Sequence, residues 1–418
     1  MMRMFARRLL GAEMYLLAAI YLYFVVSDQV PLVAWAIIAL IWVARLLTAG
    51  FRSTPFDLPI AWLLVMLPVS LAVSTNWSLS VPKAYGVGLS ALFFYAVVNQ
   101  VENFRATTIW LALIFAAIAL AGMIGTDWAQ DKIVSATFIY DKLPRFIQGI
   151  PRSIAGGFNR NGIGGTLALT IPFLASQLSV FRIPYSERKK PNTEYWLPNT
   201  VLLSSLILSL LALALTQSRG GILGTAIGLL AVAIWRERRW VWSLVVGALA
   251  LVTMFALGYG DALLAFVLRM DAGAGTFASR MEVWTRGLMM VQDFPYTGIG
   301  IGTYNTIAHA LYPFFIAAPD EVVAHAHNNF LQVAVDLGIP GLMAYTTLQT
   351  VFVIVALRVY RARPDTRAMM VGVMAGMLAH QVFGLTDAFM LGTKPGVLMW
   401  IFCGLVAVAY HPRVVNEL

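Results

Sequence analysis

Residues 279–341 contain the side chains of this sequence that are best suited to chemistry. They include three of the five histidines and several glycines, which let a backbone bend close to a ligand. In a chain that is 60% hydrophobic, they also form the longest run that cannot be a membrane span. A reactive site is therefore expected here first.

Two histidines, His325 and His327, lie close together near the end of this stretch. A neutral imidazole at a membrane surface can act as a general base toward a hydroxyl nucleophile. As a metal pair, the spacing is weak on its own, because no third histidine, cysteine or carboxylate follows at ligand spacing. A histidine in a loop is also often ordinary polar surface. Asn328, Asn329 and Gln332 add amides that can orient an imidazole or a sugar.

Arg219 and Arg280 are the candidates for binding an anion. Arg219 lies on a short turn between two apolar segments and precedes Gly220 and Gly221, so a ligand can approach a bare backbone at a helix start. Arg280 lies at the start of a predicted helix, where the macrodipole disfavours a cation unless an anion is bound nearby. The alternatives are a lipid-anchoring side chain for Arg219 and an ordinary solvated one for Arg280.

Other charged residues are weaker candidates. Arg286 lies further along the same predicted helix, on another face. Asp387 ends a later apolar segment, where pairing with an arginine is the expected role. Arg152 and Arg160 belong to an earlier polar segment. The sequence contains no nucleophile elbow, P-loop or dinucleotide fingerprint.

The composition is that of a polytopic membrane protein. Mean hydropathy is +0.77, and only 12% of the residues are charged. A net charge of +9 would suggest nucleic acid in a soluble protein, but here basic residues are expected in cytoplasmic loops, so no nucleic-acid partner is predicted. Cys403 is the only cysteine, which excludes an intrachain disulfide and a thiol cluster.

Apolar runs predict about twelve membrane-spanning helices. They are predicted at approximately 10–26, 32–48, 58–74, 84–98, 108–124, 162–180, 201–216, 220–234, 241–257, 330–357, 368–385 and 397–410. The run that starts at residue 330 is longer than one crossing needs. The fold class is therefore all-α, with one polytopic domain over 1–418 and two long loops, 125–161 and 258–329.

The distribution of lysine and arginine orients these spans. With the N-terminus in the cytoplasm, basic clusters at 3–8, 236–239 and 358–367 lie on the cytoplasmic side, as the positive-inside rule requires. Both termini are then cytoplasmic. The two long loops face the outside of the membrane, and the candidate chemistry lies on that face.

A short helix is predicted within the second long loop. Ser279 and Glu282 have capping-box spacing, which predicts a helix that starts at Arg280. Its predicted apolar stripe consists of Met281, Trp284, Leu288 and Val291. Phe294 and Pro295 end the helix. A tight, irregular turn is predicted at Gly298, Gly300 and Gly302.

Three motifs together resemble the O-antigen ligase and O-antigen polymerase-type membrane glycosyltransferases. The motifs are Ser218-Arg219-Gly220-Gly221, Ser279-Arg280 with Trp284 and Phe294-Pro295-Tyr296-Thr297-Gly298-Ile299-Gly300, and His327-Asn328 followed by Gly338 and Gly341. No one of them is specific alone. Their order and spacing together are fairly specific.

The resemblance implies a fold, an activity and its partners. Bacterial O-antigen ligases have about twelve spans and a large periplasmic loop in a GT-C-like arrangement. They transfer a glycan from undecaprenyl diphosphate to a sugar hydroxyl of lipid A–core oligosaccharide, which completes lipopolysaccharide on the periplasmic face of the inner membrane. The transfer inverts the anomeric centre and uses no metal or other cofactor. The implied partners are the lipid-linked donor, the lipid A–core acceptor and membrane lipids.

The resemblance also implies roles for particular residues. Arg219 and Arg280 would bind the donor diphosphate, and His327 would activate the acceptor hydroxyl. The further supporting candidates are Arg152, Arg160, Arg286, His325, Asn328 and Asp387, and no residue is expected to hold a metal. Some relatives have a second histidine directly beside the catalytic one, whereas this sequence has Ala326 there.

Other activities use similar motifs. A polymerase uses the same donor but a lipid-linked glycan as acceptor, and the spacing from His327 to Gly341 favours a ligase. Protein O-oligosaccharyltransferases commonly carry a sizeable C-terminal periplasmic domain, which this sequence does not show. A polyprenyl-lipid flippase or transporter is the alternative from another class. Transporters tend to have internal repeats and ionisable groups near mid-membrane, whereas the polar groups here concentrate outside the spans.

Overall fold

The computed structural model describes residues 2–26, 31–48, 52–126, 158–178, 193–259, 277–316, 322–389 and 391–411. Arg152 and most of the predicted loop 125–161 lie outside these residues. The described part of the chain is helical and contains no strand. The predicted all-α fold class is therefore confirmed.

Helices occupy the positions of the predicted spans. In chain order they are α1 (Met2–Gly11), α2 (Glu13–Val26), α3 (Leu32–Thr48), α4 (Asp57–Ala72), α5 (Trp77–Gln100), α6 (Phe104–Gly125), α7 (Arg160–Gln177), α8 (Thr193–Thr216), α9 (Arg219–Arg236), α10 (Val241–Ala256), α11 (Phe277–Asp293), α12 (Tyr304–Leu311), α13 (Asn329–Ala362), α14 (Arg367–Phe383) and α15 (Gly396–Tyr410). Each predicted span coincides with one of them. The first is shorter than predicted, because the chain bends between Gly11 and Glu13.

Length and apolarity identify a helical membrane protein. Six of the described helices are long and apolar enough to cross a membrane, namely Trp77–Gln100, Phe104–Gly125, Pro198–Thr216, Arg219–Arg236, Arg238–Ala256 and Asn329–Ala362. Shorter apolar helices include Leu32–Thr48, Asp57–Ala72 and Gly396–Tyr410. The predicted number of about twelve crossings stays a prediction.

Close packing of α7, α9 and α14 fixes the start of α9. A Cβ atom on Gly221 would lie 2.8 Å from the carbonyl carbon of Gly164, so only glycine allows the two backbones to approach this closely. Small residues serve the same purpose where helices pack inside membranes. The position of the Ser218–Arg219 segment is therefore set by backbone contact.

A kink divides α13 into two parts. Gly338 has a φ of 69° and a ψ of −176° inside the 34-residue helix, and Pro340 follows it. A straight helix of this length would be about 51 Å long, well beyond the hydrocarbon core of about 30 Å. The kink explains why the run that starts at residue 330 is longer than one crossing needs.

The α11 helix does not start or face as predicted. It begins at Phe277, before Arg280. Glu282 does not cap the helix start, because its carboxylate accepts hydrogen bonds from the backbone N–H groups of Phe315 (2.6 Å) and Ile316 (2.8 Å). The Glu282 side chain therefore lies on the buried face of the helix, where the residue is 9% exposed. The buried face also contains Val283 and Met290.

The predicted apolar stripe of α11 is half correct, because Trp284 and Val291 are half-buried and Val291 packs against Val283 and Met290. Met281 is 44% exposed and Leu288 is 56% exposed. A Cβ atom on Gly287, on the opposite face, would lie 3.0 Å from the Leu331 side chain of α13. The α11 helix therefore packs on the first part of α13.

The glycine turn after α11 is confirmed. The helix ends at Asp293, before Phe294 and Pro295, and Gly298, Gly300 and Gly302 all have positive φ values of 67°, 100° and 79°. The turn binds α13 and α4 through its backbone. Ile299 N–H donates to the Val335 carbonyl (2.9 Å), and Ile301 N–H donates to Ser70 Oγ (2.7 Å).

Candidate active site

His325, His327 and Asp387 form one cluster. Both histidines precede α13, whereas Asp387 follows α14. Asp387 Oδ1 lies 3.4 Å from His325 Nε2 and 3.3 Å from His327 Nδ1. The two imidazole rings meet edge to face, with centroids 4.4 Å apart. Among the described residues, the side chains that contact Asp387 here are therefore the two histidines, where the sequence favoured an arginine.

Two asparagines hold the segments that carry this cluster. Asn328 caps α13, because its Oδ1 accepts hydrogen bonds from Phe330 N–H (3.0 Å) and Leu331 N–H (3.1 Å). Asn329 N–H donates to the Gly384 carbonyl (2.8 Å), and its side-chain oxygen accepts from Phe389 N–H at 2.8 Å. Asn329 therefore joins the histidine segment to the segment of Asp387. The role that the structure shows for Asn328 is to cap α13.

The backbone of His327 is in the left-handed region, with a φ of 49°. This conformation is unfavourable for a residue with a side chain, by roughly 1–2 kcal/mol. Surrounding hydrogen bonds stabilise it. His327 N–H donates to His325 Nδ1 (3.3 Å), and the buried Gln332 accepts from Ala326 N–H at 2.6 Å. Strain of this kind is often found where a side chain must point in a set direction.

A buried polar network connects the histidines to the glycine turn. Gln332 Nε2 donates to Asp336 Oδ1 (2.8 Å), and the same carboxylate oxygen accepts from Gly302 N–H at 3.1 Å. Gln332 and Asp336 are 1% and 3% exposed, so these bonds form away from solvent. The network fixes Ala326, and with it both neighbouring histidines, against the rest of the fold.

The protonation states within the cluster follow from burial and charge. Burial lowers the pKa of His325 to about 4, the attraction of Asp387 opposes this, and the charges of His327 and Lys83 lower it further. His325 is therefore neutral at pH 7. Burial alone would raise the pKa of Asp387, but its hydrogen bond to His327 and the attraction of both histidines outweigh burial and lower it. The carboxylate is therefore ionised.

This arrangement can support a general base. His327 Nδ1 faces the Asp387 carboxylate, so a proton on Nδ1 leaves the lone pair of Nε2 free to accept another proton. The His327 side chain is 31% exposed, compared with 18% for His325. His327 is thus the more accessible of the two imidazoles, as expected for the one that meets a substrate.

The turn that carries Arg219 contacts the segment that carries Asp387. Ser218 caps α9 by accepting a hydrogen bond from Gly221 N–H (3.3 Å), and Arg219 is the first residue of that helix. A Cβ atom on Gly220 would lie 2.7 Å from Thr386 Oγ1, and Thr386 precedes Asp387. The structure therefore brings the arginine turn beside the segment that carries the carboxylate. The Arg219 side chain is half-buried.

The other predicted arginines have different surroundings. Arg160 is buried in the first turn of α7, near Gly164, whose Cβ position would lie 2.4 Å from Ser218 Cβ. It therefore shares one end of the helix packing with Arg219. Arg280 is half-buried near the start of α11. Arg286 pairs with Glu282 at 3.7 Å and lies 5.4 Å from the centre of the Phe315 ring, which favours a structural role.

Sequence reasoning singled out Gln332 as an amide that can orient an imidazole, but it missed Asp336 and Lys83 as residues of the site. Gln332 and Asp336 form the buried network, and Lys83 of α5 contributes a positive charge near His325. A Cβ atom on Gly302 would lie 3.1 Å from Lys83 Cγ, so the lysine also borders the glycine turn. The sequence signal for Lys83 and Asp336 is that each is an ionisable residue in or beside an apolar segment, and such residues often belong to a functional site.

The cluster also has the side chains to hold a metal ion. One ligand atom from each of His325, His327 and Asp387 can be chosen so that all three lie within 4.8 Å of one another. The two histidines had lacked a third ligand nearby in the sequence, and Asp387 supplies it from a distant segment. The reason for setting aside a metal pair is therefore removed.

Comparison with known proteins identifies one family. Residues 204–346 match the profile of a family described as O-antigen ligase, and this region includes Arg219, Arg280 and His327. The resemblance drawn from the three motifs is thus confirmed. The family indicates a membrane glycosyltransferase of the ligase or polymerase type that acts on lipid-linked glycans. A comparison with curated proteins gave no match.

Proposed function

We propose that this protein is an O-antigen ligase that transfers a glycan from undecaprenyl diphosphate to a sugar hydroxyl of lipid A–core oligosaccharide. It crosses the bacterial inner membrane about twelve times, with both termini in the cytoplasm. The loop at 258–329 and the site face the periplasm. The observation that carries the proposal is the pairing of His327 with Asp387 beside the Arg219 turn. His327 and Arg219 lie within the region that matches the family, whereas Asp387 lies beyond it.

His327 activates the acceptor. Its Nε2 removes the proton of the sugar hydroxyl as that oxygen attacks the anomeric carbon of the donor, opposite the diphosphate. The bond from the anomeric carbon to the diphosphate oxygen breaks, and the configuration inverts. Asp387 holds the imidazole and stabilises the imidazolium that forms, because Oδ1 lies 3.3 Å from His327 Nδ1.

Arg219 and Arg280 bind the leaving group. The lipid diphosphate gains negative charge as its bond to the sugar breaks, and guanidinium groups stabilise that charge at a membrane surface of low dielectric. Arg160 and Lys83 add positive charge at the same end of the helix packing. These fixed cations take the part that a divalent ion plays in many glycosyltransferases, so the transfer needs no metal.

One assay tests the proposal against its alternatives. Purified protein in liposomes receives a labelled lipid-linked donor together with lipid A–core, or with a second lipid-linked glycan. A ligase moves the label onto lipid A–core. Label on a lengthened lipid-linked glycan identifies a polymerase, and movement of the donor across the bilayer without transfer identifies a flippase. Either of the last two results would overturn the proposal, and His327→Ala protein is the negative control.

A further inference from the structure

We propose that His325, His327 and Asp387 form a reversible inhibitory site for a divalent transition-metal ion, with Zn²⁺ as the best fit. The binding part of this inference stands on the geometry of the cluster. The inhibitory part rests on the proposed function, because it concerns the role of His327 as a base. The two parts are separated by the experiment below.

The two distances from Asp387 to the histidines suit a metal ion, and all three ligand atoms lie within 4.8 Å of one another. Asp387 Oδ1 lies 3.4 Å from His325 Nε2 and 3.3 Å from His327 Nδ1, both longer than the usual range of about 2.7–3.2 Å for hydrogen bonds. Zinc binds nitrogen and oxygen at about 2.0–2.2 Å, so two ligand atoms on a tetrahedral edge lie about 3.3–3.5 Å apart. Both measured distances fall within that edge length.

The ligand types select the class of metal. Two imidazoles and one carboxylate form a nitrogen-rich set that suits Zn²⁺ and related transition metals, with a fourth position open to water. Ca²⁺ and Mg²⁺ prefer oxygen ligands and retain several waters, so they bind such a set poorly. The site therefore discriminates between zinc and the divalent ions that commonly accompany diphosphates.

Metal binding would switch off the general base. A neutral imidazole has one N–H group, and coordination through Nδ1 leaves that proton on Nε2. Nε2 of His327 would then donate a hydrogen bond and could not accept a proton from the acceptor hydroxyl. The ion replaces the proton that Nδ1 otherwise presents to Asp387. Occupation of the site and catalysis by His327 therefore exclude each other.

Two features make the site reversible. His325 must move its proton to Nδ1 when Nε2 binds the metal, and this breaks the long 3.3 Å hydrogen bond from His327 N–H. The positive charge of Lys83 acts on His325 and opposes a second cation nearby. Both effects weaken binding relative to a structural zinc site. The ion is thus expected to be removed by a chelator without unfolding the protein.

Cobalt absorption tests the binding directly. Full-length protein with a histidine-free affinity tag is stripped with EDTA and titrated with Co²⁺, whose visible absorption reports nitrogen and oxygen ligation. One ion per chain should bind, and Zn²⁺ should displace it. Asp387→Ala and His325→Gln should lose the band. His309→Ala should keep it, since His309 is an exposed histidine of α12 and is not one of the three ligands. Thermal unfolding of each variant excludes loss of fold.

The transfer assay tests the inhibition. EDTA-treated protein should be fully active, saturating Zn²⁺ should lower the transfer rate at least about tenfold, EDTA should restore it, and Mg²⁺ should have no effect. No stoichiometric Co²⁺ band, or a band that survives Asp387→Ala, overturns the metal site and leaves the proposed function intact. Bound metal that leaves transfer unchanged or raises it overturns the inhibition. A protein that binds Co²⁺ but transfers no glycan in any state overturns the proposed function and leaves the binding site.

Discussion

Two of the charged clusters in the described part of the chain differ in how completely their polar atoms are hydrogen-bonded. Glu13 of α2 and Arg45 of α3 form an ion pair in which each side chain is 1% exposed. Arg45 Nε donates to Glu13 Oε1 (3.0 Å), and Gln100 donates to Glu13 Oε2 at 3.2 Å. This pair is closed to solvent on all sides.

The histidine cluster is open in comparison. Asp387 Oδ1 is shared by two imidazoles at 3.3–3.4 Å, and the His327 side chain remains 31% exposed. A buried ion pair with complete hydrogen bonds holds helices together, because removal of one partner leaves a charge in a medium of low dielectric. A cluster with an accessible nitrogen can exchange a proton with a ligand. The accessible His327 nitrogen is therefore what separates the candidate reactive cluster from the purely structural ion pair.

The largest effect is expected from Arg219 and Arg280, the two arginines of the proposed diphosphate site. Arg219→Ala and Arg280→Ala should abolish transfer, with a loss of at least about 10²-fold each, because the diphosphate then departs without compensating charge. The assay is glycan transfer in liposomes, with membrane insertion checked in parallel. Arg236→Ala is the matched control, since Arg236 ends the same α9 helix that Arg219 starts. Near-normal activity of both variants would refute the diphosphate site.

Loss of the imidazole should have a large effect on turnover alone. His327→Ala should lower the single-turnover rate by about 10²–10⁴-fold, because proton removal from the acceptor is no longer assisted. Binding of labelled donor should be unchanged, because the arginines bind the diphosphate. A variant that loses donor binding to the same extent as turnover would show that His327 serves binding, not proton transfer.

Changes to the Glu13–Arg45 ion pair should lower the stability of the fold and leave the transfer rate unchanged. Glu13→Ala should destabilise the protein by about 3–5 kcal/mol, because it leaves the Arg45 charge buried without its carboxylate. Thermal unfolding in detergent measures the loss. Transfer per folded molecule should stay normal. The double variant Glu13→Met, Arg45→Leu should recover most of the stability, and a large fall in its turnover would contradict the division between the two regions.

A smaller effect is expected from Gln332, which connects the histidine segment to the buried polar network. Gln332→Ala removes the acceptor of Ala326 N–H and the donor to Asp336, so the histidines lose their fixed position. Transfer should fall about 10–100-fold, by analogy with loss of an outer-shell partner at other sites. The control is Gln349→Ala, because Gln349 lies on the same helix but after the kink at Gly338. If both variants lose equal activity, the effect of Gln332 is not specific to the site.

The sequence predicted the helices well, because an apolar run is a local property. The predicted span at 241–257 and the observed helix Val241–Ala256 differ by one residue at one end. Local glycine chemistry was equally informative, as the three positive φ values after Pro295 demonstrate. Both features depend on residues that are close together in the sequence. An apolar run also indicates directly that the segment is suited to lipid.

Partners that lie far along the chain were not predicted. Glu282 has the spacing of a capping residue, but its hydrogen-bond donors come from residues 315 and 316. Asp387 meets two histidines from a segment that precedes α13. Spacing cannot identify such pairs, because they depend on how complete helices pack. The role of Lys83 was missed for the same reason.

The kink at Gly338 has a consequence for protein engineering. The nine residues before it carry Gln332 and Asp336 and are anchored to the glycine turn, whereas the residues after Pro340 form the long crossing. The hydrogen bonding of the helix is already interrupted at this kink. Gly338 has non-helical φ and ψ values, and Ile339 N–H donates to the Pro295 carbonyl (2.7 Å). Gly338 is thus a suitable junction for chimaeras that exchange the membrane anchor and retain the reactive half.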